Sequence, residues 1–259
     1  MAPEPGRRAA PLRGRAPGLE LERSLQETGA RVVGGMDEVG RGALAGPVTA
    51  GLVVLRPGTD RAVPGLRDSK LLSPARREAL VPRIRSWCAA SGVGHASPRE
   101  IDALGLTAAL RLAGRRAIAA AAAGGPAPDV VLLDGGHDWL SAPRTDSLFA
   151  VPGVPDDLDG AGGEPAVQEW TGTVVTRVKA DLTCASVAAA SVLAKVERDR
   201  MMGELSAGWP QYGWDSNKGY GAARHRQALE EHGTTPHHRL SWRLAPAAAG
   251  AHRTGEGTT

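Results

Sequence analysis

Apolar positions alternate between strand-like runs and helical spacing from about residue 19 to residue 244. The stretch LELERSLQETGA, starting at Leu19, predicts a short helix that stops near Gly29. Val32–Met36 and Val48–Leu55 are compact apolar runs and predict two strands, the first stopping at an Asp-Glu pair and a Gly-Arg-Gly turn. Pro74–Ala90 predicts a helix with a kink or boundary at Pro82. Ile101–Ala123 predicts another helix, Val130–Leu133 a buried strand and Thr173–Val178 a further strand. Residues 181–206 form the clearest helix, and 220–232 a last one. This order predicts a single α/β domain around a mixed sheet.

Outside that rhythm lie three segments. Residues 1–17, rich in Pro, Arg and Ala, read as a disordered basic arm, and residues 245–259 as a disordered tail, leaving 18–244 as the folded domain. Residues 138–169 carry seven acidic residues against Arg144 alone and read as a long loop insert. Trp139, Leu140, Leu148 and Phe149 are expected to dock one end of that insert on the body, with Gly153–Gly163 mobile.

Composition narrows the class. Aromatic residues are only 3% of the 259, so the core must be built from Ala, Val and Leu. No apolar run approaches the length of a membrane span, and the basic N-terminus lacks the apolar core of a secretory signal. Cys88 and Cys184 make neither a disulfide framework nor a metal-site spacing, so a soluble, reducing, cytoplasmic protein is expected; a monomer is the separate expectation for its assembly. The net charge of +3 resides in residues 1–17, and the remaining chain balances, 27 basic against 27 acidic. Nucleic-acid affinity of the folded part must therefore be local. Residues 217–243 hold Lys218, Arg224, Arg226, Arg239 and Arg243 against Glu230 and Glu231, either a phosphate-facing patch or a solvated helix face.

Four carboxylates sit where strands end. Asp37 and Glu38 close the first strand ahead of Gly40-Arg41-Gly42, Asp134 precedes Gly135-Gly136, and Asp181 opens the long helix. Each alone has an ordinary explanation: a turn aspartate, or a helix cap at Asp181. If the strands are neighbours, however, the carboxylates repel unless protonated or bridged by cations. Oxygen-only ligands suit Mg²⁺ or Mn²⁺, and two such ions are the usual apparatus for in-line attack on a phosphodiester. Asp199, four residues after Lys195, reads as half of a solvated ion pair.

An ordered set of motifs runs along the chain: Met36-Asp37-Glu38-Val39-Gly40-Arg41-Gly42 through Ala45-Gly46-Pro47-Val48, then Asp68-Ser69-Lys70 and Glu100-Ile101-Asp102. Leu133-Asp134-Gly135, Lys179-Ala180-Asp181, Ser186–Lys195 and Arg198-Asp199 follow, and the set closes with Gly219-Tyr220-Gly221, His225 and His238-Arg239-Leu240-Ser241. Taken in this order the motifs resemble one family, bacterial ribonuclease HII. The resemblance implies a ribonuclease H-like mixed sheet flanked by helices, with a helical C-terminal portion. It implies cleavage of RNA in RNA–DNA hybrids, and 5′ of single ribonucleotides embedded in duplex DNA, leaving 3′-hydroxyl and 5′-phosphate ends. Such an activity belongs to ribonucleotide excision repair. By motif, Asp37, Glu38, Asp134 and Asp181 would be catalytic and would ligate two Mn²⁺ or Mg²⁺ ions. Gly40, Arg41, Gly42, Lys70 and Tyr220 would bind substrate, with Tyr220 at the RNA–DNA junction; the bland alternative makes Tyr220 a core aromatic and the glycines mere turns. The related ribonuclease HIII type carries an extra N-terminal domain, for which the residues before the first strand are too few. Two departures stand out: Asp134 and Asp181 are 47 residues apart, longer than in shorter members, and Trp242 stands where Phe is frequent.

Two other functions compete. A 3′→5′ exonuclease could use four carboxylates, but no helix places Tyr or His three or four residues before its last Asp. A non-catalytic hybrid-binding protein would have little use for four intact carboxylates, costly to bury unneutralised. For the acidic insert, the charge of its residues keeps it from a phosphate-bearing partner within a Debye length of about 8 Å. Deleting Gly153–Gly163 is therefore expected to leave specific activity within a few-fold of wild type, measured at saturating substrate.

Overall fold

The computed structural model of the protein describes residues 16–141, 170–242 and 244. Helix α1 (Glu20–Glu27) leads into β1 (Val33–Val39), β2 (Val48–Val54), α2 (Pro74–Trp87) and β3 (Ala90–Ala96). Helices α3 (Pro98–Leu104) and α4 (Leu106–Ala122) precede β4 (Val130–Asp134) and β5 (Thr173–Arg177). Four helices close the order: α5 (Ala180–Thr183), α6 (Ala185–Gly208), α7 (Trp214–Asn217) and α8 (Ala223–His232). The strands form one sheet ordered β3-β2-β1-β4-β5. β1 pairs antiparallel with β2 and parallel with β4, which puts the C-terminal ends of β1 and β4 at the same edge of the sheet. Asp37, Glu38 and Asp134 lie at those ends. No described helix is long and apolar enough to cross a membrane.

Both sheet faces are covered. On one face Met36, Val48, Ala50, Leu52 and Val54 pack with Ala109, Leu110, Ala113 and Ala117 of α4. On the other, Val53 and Leu55 pack with Leu80 and Ile84 of α2 and with Ala188, Ala189 and Val192 of α6. Small residues set these distances, as a core short of aromatics requires. A Cβ on Gly35 would lie 2.4 Å from backbone atoms of Ser186 and Val187, and one on Gly51 2.3 Å from the Ala190 carbonyl. The helix backbone therefore approaches β1 and β2 more closely than any side chain would permit. Period-2 alternation then decides the site: Gly35 and Asp37 share the face toward α6, while Met36 faces α4.

Several sequence expectations are corrected. Strand β3 was not predicted; its Ala, Ser and Gly residues have low strand propensity, and Gly92 and Gly94 are there for contact with α4. The helix expected over Ile101–Ala123 is two, divided at Gly105 with φ of +76°. The helix expected over 181–206 is likewise divided, because Cys184 is extended between α5 and α6. Helix α2 runs through Pro82 rather than stopping there. The insert's first residues dock as expected: Trp139 and Leu140 are buried in the α4-side core, and the Asp138 carboxylate accepts from the Leu140 and Ser141 amides. The arm at 1–15, the insert from 142 to 169, with Leu148, Phe149 and Gly153–Gly163, and the tail beyond 244 lie outside the described residues.

The close packing gives a test with two signs. A Cβ on Gly94 would lie 2.2 Å from the Ala113 carbonyl oxygen, whereas one on Gly203 in α6 meets nothing within 4 Å. Gly94→Ala is expected to cost about 1–3 kcal/mol, a fall in Tm of roughly 2–12 °C for a domain of this size. Gly203→Ala is expected to raise Tm slightly, since alanine restricts the unfolded chain and favours the helix. Thermal melts of both variants check this.

Candidate active site

The carboxylates named from the sequence converge. Asp37, at the end of β1, faces α6 and is 5% exposed. Its Oδ1 accepts from the Glu38 amide at 2.8 Å. The Ser191 hydroxyl of α6 also donates to it, and Ser191 Oγ lies 2.8 Å from Ser69 Oγ. Asp134 Oδ1 accepts from the Ala180 amide at 2.7 Å, which ties the end of β4 to the start of α5. Lys179, held in the left-handed region at φ 60°, turns the chain so that α5 begins there and Asp181 comes inward. Asp134 stands in the middle, adding repulsion to Asp37, Glu38 and Asp181.

The electrostatics are those of crowded negative charge. Burial drives Asp37 up to about 8, with Glu38 and Asp134 adding repulsion against the pull of Ser191 and Lys70. Burial also raises Glu38, against the pull of Arg41, whose Nη1 donates to Glu38 Oε1 at 3.3 Å. Asp181 is raised by burial and by repulsion from Asp134 and Asp68. Lys70 reaches into the group from the side, its Nζ 3.7 Å from Asp181 Oδ2 although its side chain is 73% exposed. Partial desolvation works against that ammonium, yet Asp37, Asp68, Asp181 and Asp134 together hold its pKa above the usual lysine value.

These donors fit a hard divalent cation. They are all oxygens, and Glu38 Oε2 is buried without a hydrogen-bond partner. Among the described residues no three acidic, His or Cys side chains close on a point as a finished metal cage. The Lys70 ammonium stands beside the carboxylates, its charge felt by Asp37 and Asp181.

Around the acids stand the residues named for substrate. Gly40 has φ of +85°, and a Cβ there would lie 2.2 Å from Arg198 Nε, so its lack of a side chain serves the protein's own packing. Gly42 has open space where a Cβ would be. Arg41 is exposed. Tyr220 is 38% exposed, on the surface rather than in the core, with the Arg198 guanidinium 5.6 Å from its ring centroid.

Sequence reasoning missed the residues behind this surface. Arg239, placed in a phosphate-facing patch, is 0% exposed. Its donors go to the carbonyls of Gly40, Arg41 and Gly46. Arg198 is equally buried and donates to Ala45, Pro47 and Lys218 carbonyls. Arg224 and Arg226 spend donors on the Pro210 and Gly221 carbonyls, and Arg243 lies outside the described residues. The Lys195–Asp199 pair is partly buried and shared with Arg77, not solvated. Asp68, which caps the Lys70 amide and repels Asp181, is a fifth carboxylate of the group. Its signal was the Asp-Ser-Lys motif itself.

Comparison with known proteins finds similar sequences and a similar fold. The sequence model of the family described as Ribonuclease HII matches residues 34–144 and 159–245, so the match is interrupted inside the acidic insert. A ribonuclease HII of Streptomyces coelicolor is 47% identical over 86% of this chain and 82% of its own. Among solved structures, ribonuclease H2 of Pyrococcus horikoshii superposes with a TM-score of 0.54 at 26% identity, over 83% of this chain and 95% of that one. The fold is shared with Bst ribonuclease HIII in complex with Mn²⁺, at a TM-score of 0.56 and 19% identity over 85% of this chain and 69% of that one.

The raised Asp37 carboxyl predicts a pH-dependent stability. Between about pH 4 and about pH 8 the unfolded chain loses this proton while the folded protein keeps it. Stability without metal therefore falls as pH rises through that window and levels off above it. Asp37→Asn removes the liability, so in chelator its Tm is expected to exceed wild type, on the order of 5 °C at pH 8 and less at pH 5. Melts at the two pH values check both the sign and the trend.

Proposed function

The chain belongs to the ribonuclease HII family and is an endonuclease of ribonuclease H type, and from that premise we propose a metal-dependent cut at ribonucleotides in duplexes. The substrates are the RNA strand of RNA–DNA hybrids and single ribonucleotides embedded in DNA, cut on the 5′ side to leave 3′-hydroxyl and 5′-phosphate ends. The observation that carries this reading is the acid cluster beside the Gly-Arg-Gly loop, with Asp37 pushed up to about 8 and Glu38 Oε2 unpartnered. A protein does not assemble such repulsion for stability.

Asp37, Glu38, Asp134 and Asp181 would hold two Mg²⁺ or Mn²⁺ ions. Bound there, the ions would supply an activated water and neutralise charge on the attacked phosphate and its leaving oxygen. The rest is done by the chain. Ser191 fixes the Asp37 carboxyl, and the Ala180 amide fixes that of Asp134, so the ligand oxygens are oriented before substrate arrives. Lys70, exposed and beside Asp181, is placed to meet a backbone phosphate as a compact charge.

RNA differs from DNA at one embedded nucleotide by its 2′-hydroxyl. Gly42, with open space around its Cα, lets the backbone approach the sugar edge, and Arg41 stands exposed beside it. Tyr220 offers a half-exposed ring whose other side is steadied by Arg198. That ring is suited to the deoxy sugar that follows the ribonucleotide, where an added hydroxyl would crowd it.

The test is cleavage of a duplex containing one ribonucleotide, with and without Mn²⁺, the cut mapped to the nucleotide. Wild type is expected to cut once, on the 5′ side, and only with metal. Asp134→Asn is expected to lose at least about two orders of magnitude in rate while remaining folded. Tyr220→Ala is expected to lose single-ribonucleotide cleavage with metal binding and Tm little changed. An Asp134→Asn enzyme near wild-type rate would falsify the metal assignment.

A further inference from the structure

Two imidazoles in the C-terminal portion take no part in the chemistry above, yet their hydrogen bonds admit a single pattern. His225 on α8 and His238 are both buried. His225 Nδ1 lies 2.9 Å from the Tyr220 carbonyl oxygen, an atom that only accepts, so Nδ1 carries the proton. His225 Nε2 is then an acceptor, and two groups reach it: the Trp214 indole N–H at 3.2 Å and His238 Nε2 at 3.1 Å. His238 Nε2 must donate, which leaves its Nδ1 to accept from the Thr235 amide at 2.9 Å. The Thr235 hydroxyl, 3.0 Å from the same Nδ1, donates to it and accepts from the His237 amide.

The chain of bonds has two meaningful ends. One is the Tyr220 backbone. The other is the segment around His238, which pairs with residues 44–46 just after the Gly-Arg-Gly loop. His238 bridges Ala45, the Gly46 amide donates to the His237 carbonyl at 2.8 Å, and the Arg239 amide donates to Leu44 at 3.0 Å. Tyr212, stacked on Trp214 with centroids 5.1 Å apart, meets both imidazoles edge-on and walls the pair.

Resting on the reading of Tyr220 as the junction-facing ring, we propose that His225 and His238 are positioning residues for ribonucleotide recognition: a neutral, tautomer-locked relay that fixes Tyr220 relative to the Gly-Arg-Gly loop. A proton added to His225 Nε2 or His238 Nδ1 would place a donor where two donors already converge. Both rings are accordingly neutral, with burial lowering each and the neighbouring imidazoles, His225 and His237, lowering His238 further, to about 4. Tyr212 also packs against them; its phenol donates to the Gly233 carbonyl, and burial raises its pKa, which keeps it uncharged.

Nitrogen-15 NMR of the full-length wild-type protein with Mg²⁺ tests the lock directly. Expected are a proton on Nδ1 of His225, a proton on Nε2 of His238, and no titration of either near the ordinary imidazole value of about 6.5. The opposite tautomers, or ordinary titration, overturn the proposal whatever any variant does. Function is read with His225→Phe, which keeps the volume and removes both nitrogens, and His225→Asn, whose amide can replace the Nδ1 donor. His225→Phe is expected to lower kcat/KM on the single-ribonucleotide duplex roughly tenfold to a hundredfold. His225→Asn is expected to recover most of that loss, with calorimetric Mg²⁺ binding unchanged in both. A folded His225→Phe within about twofold of wild type, while Tyr220→Ala is impaired, sinks the relay alone; should His225→Phe not fold, the NMR assignment decides. If Tyr220→Ala itself cleaves like wild type, the reading of Tyr220 fails and the relay loses its purpose with it.

Discussion

Two buried guanidinium groups hold the part of the molecule on which the chemistry depends. Arg198 lies in α6 and Arg239 beyond α8, and both are wholly buried. Among the described residues neither forms an ion pair; their donors go to backbone carbonyls of the segment from Gly40 to Pro47 and to Lys218. Burying a charge is costly unless its hydrogen bonds are met, and a loop of carbonyls facing inward is equally costly unless donors reach it. Each problem solves the other. Burial and the nearby Arg198 charge pull Arg239 down only to about 10, so it stays cationic at neutral pH. The outcome is a loop locked from beneath, with Asp37 and Glu38 just before it and the open face of Gly42 above.

That arrangement explains what the sequence could and could not reveal. Asp37, Glu38 and Asp134 were legible because they close apolar runs, and parallel pairing of β1 with β4 brings such ends together; Asp181 was legible as the acid that follows the next strand and opens a helix. Arg239 was not. A cation in a basic stretch looks the same on a surface as in a cage of carbonyls, since linear sequence does not display which backbone oxygens lack partners. Strand β3 was illegible for the opposite reason: its glycines answer to α4, which lies across the sheet face, and carry almost no local strand signal. The Cys184 break was hidden because apolar residues continue on both sides of it.

The aromatic-poor core has a functional consequence. With Gly35 and Gly51 beneath an alanine-rich α6, helix and sheet approach to backbone contact at those two positions. Ser191 is thereby close enough to donate to Asp37 and to meet Ser69, which belongs to the turn that carries Lys70. Arg77 tightens the same turn by donating to the Ser69 and Leu72 carbonyls. A bulkier core would move α6 outward, and with it one partner of the buried acid and one anchor of the lysine turn.

The acid cluster is the place where stability is given up. Five carboxylates, Asp37, Glu38, Asp68, Asp134 and Asp181, face each other with Lys70 and Arg41 as the cations that offset them. Left to relax, such a group would spread or take up protons, as the elevation of Asp37 shows it tending to do. The surrounding structure prevents the spreading: the Ala180 amide pins Asp134, Ser191 pins Asp37, and the arginine-held loop keeps Glu38 from swinging out. Rigidity supplied by uncharged hydrogen bonds and backbone contact is what keeps concentrated negative charge at a fixed position. A site that organised itself only when a cation arrived would bear that ordering cost at each turnover. Here the folded chain bears it once.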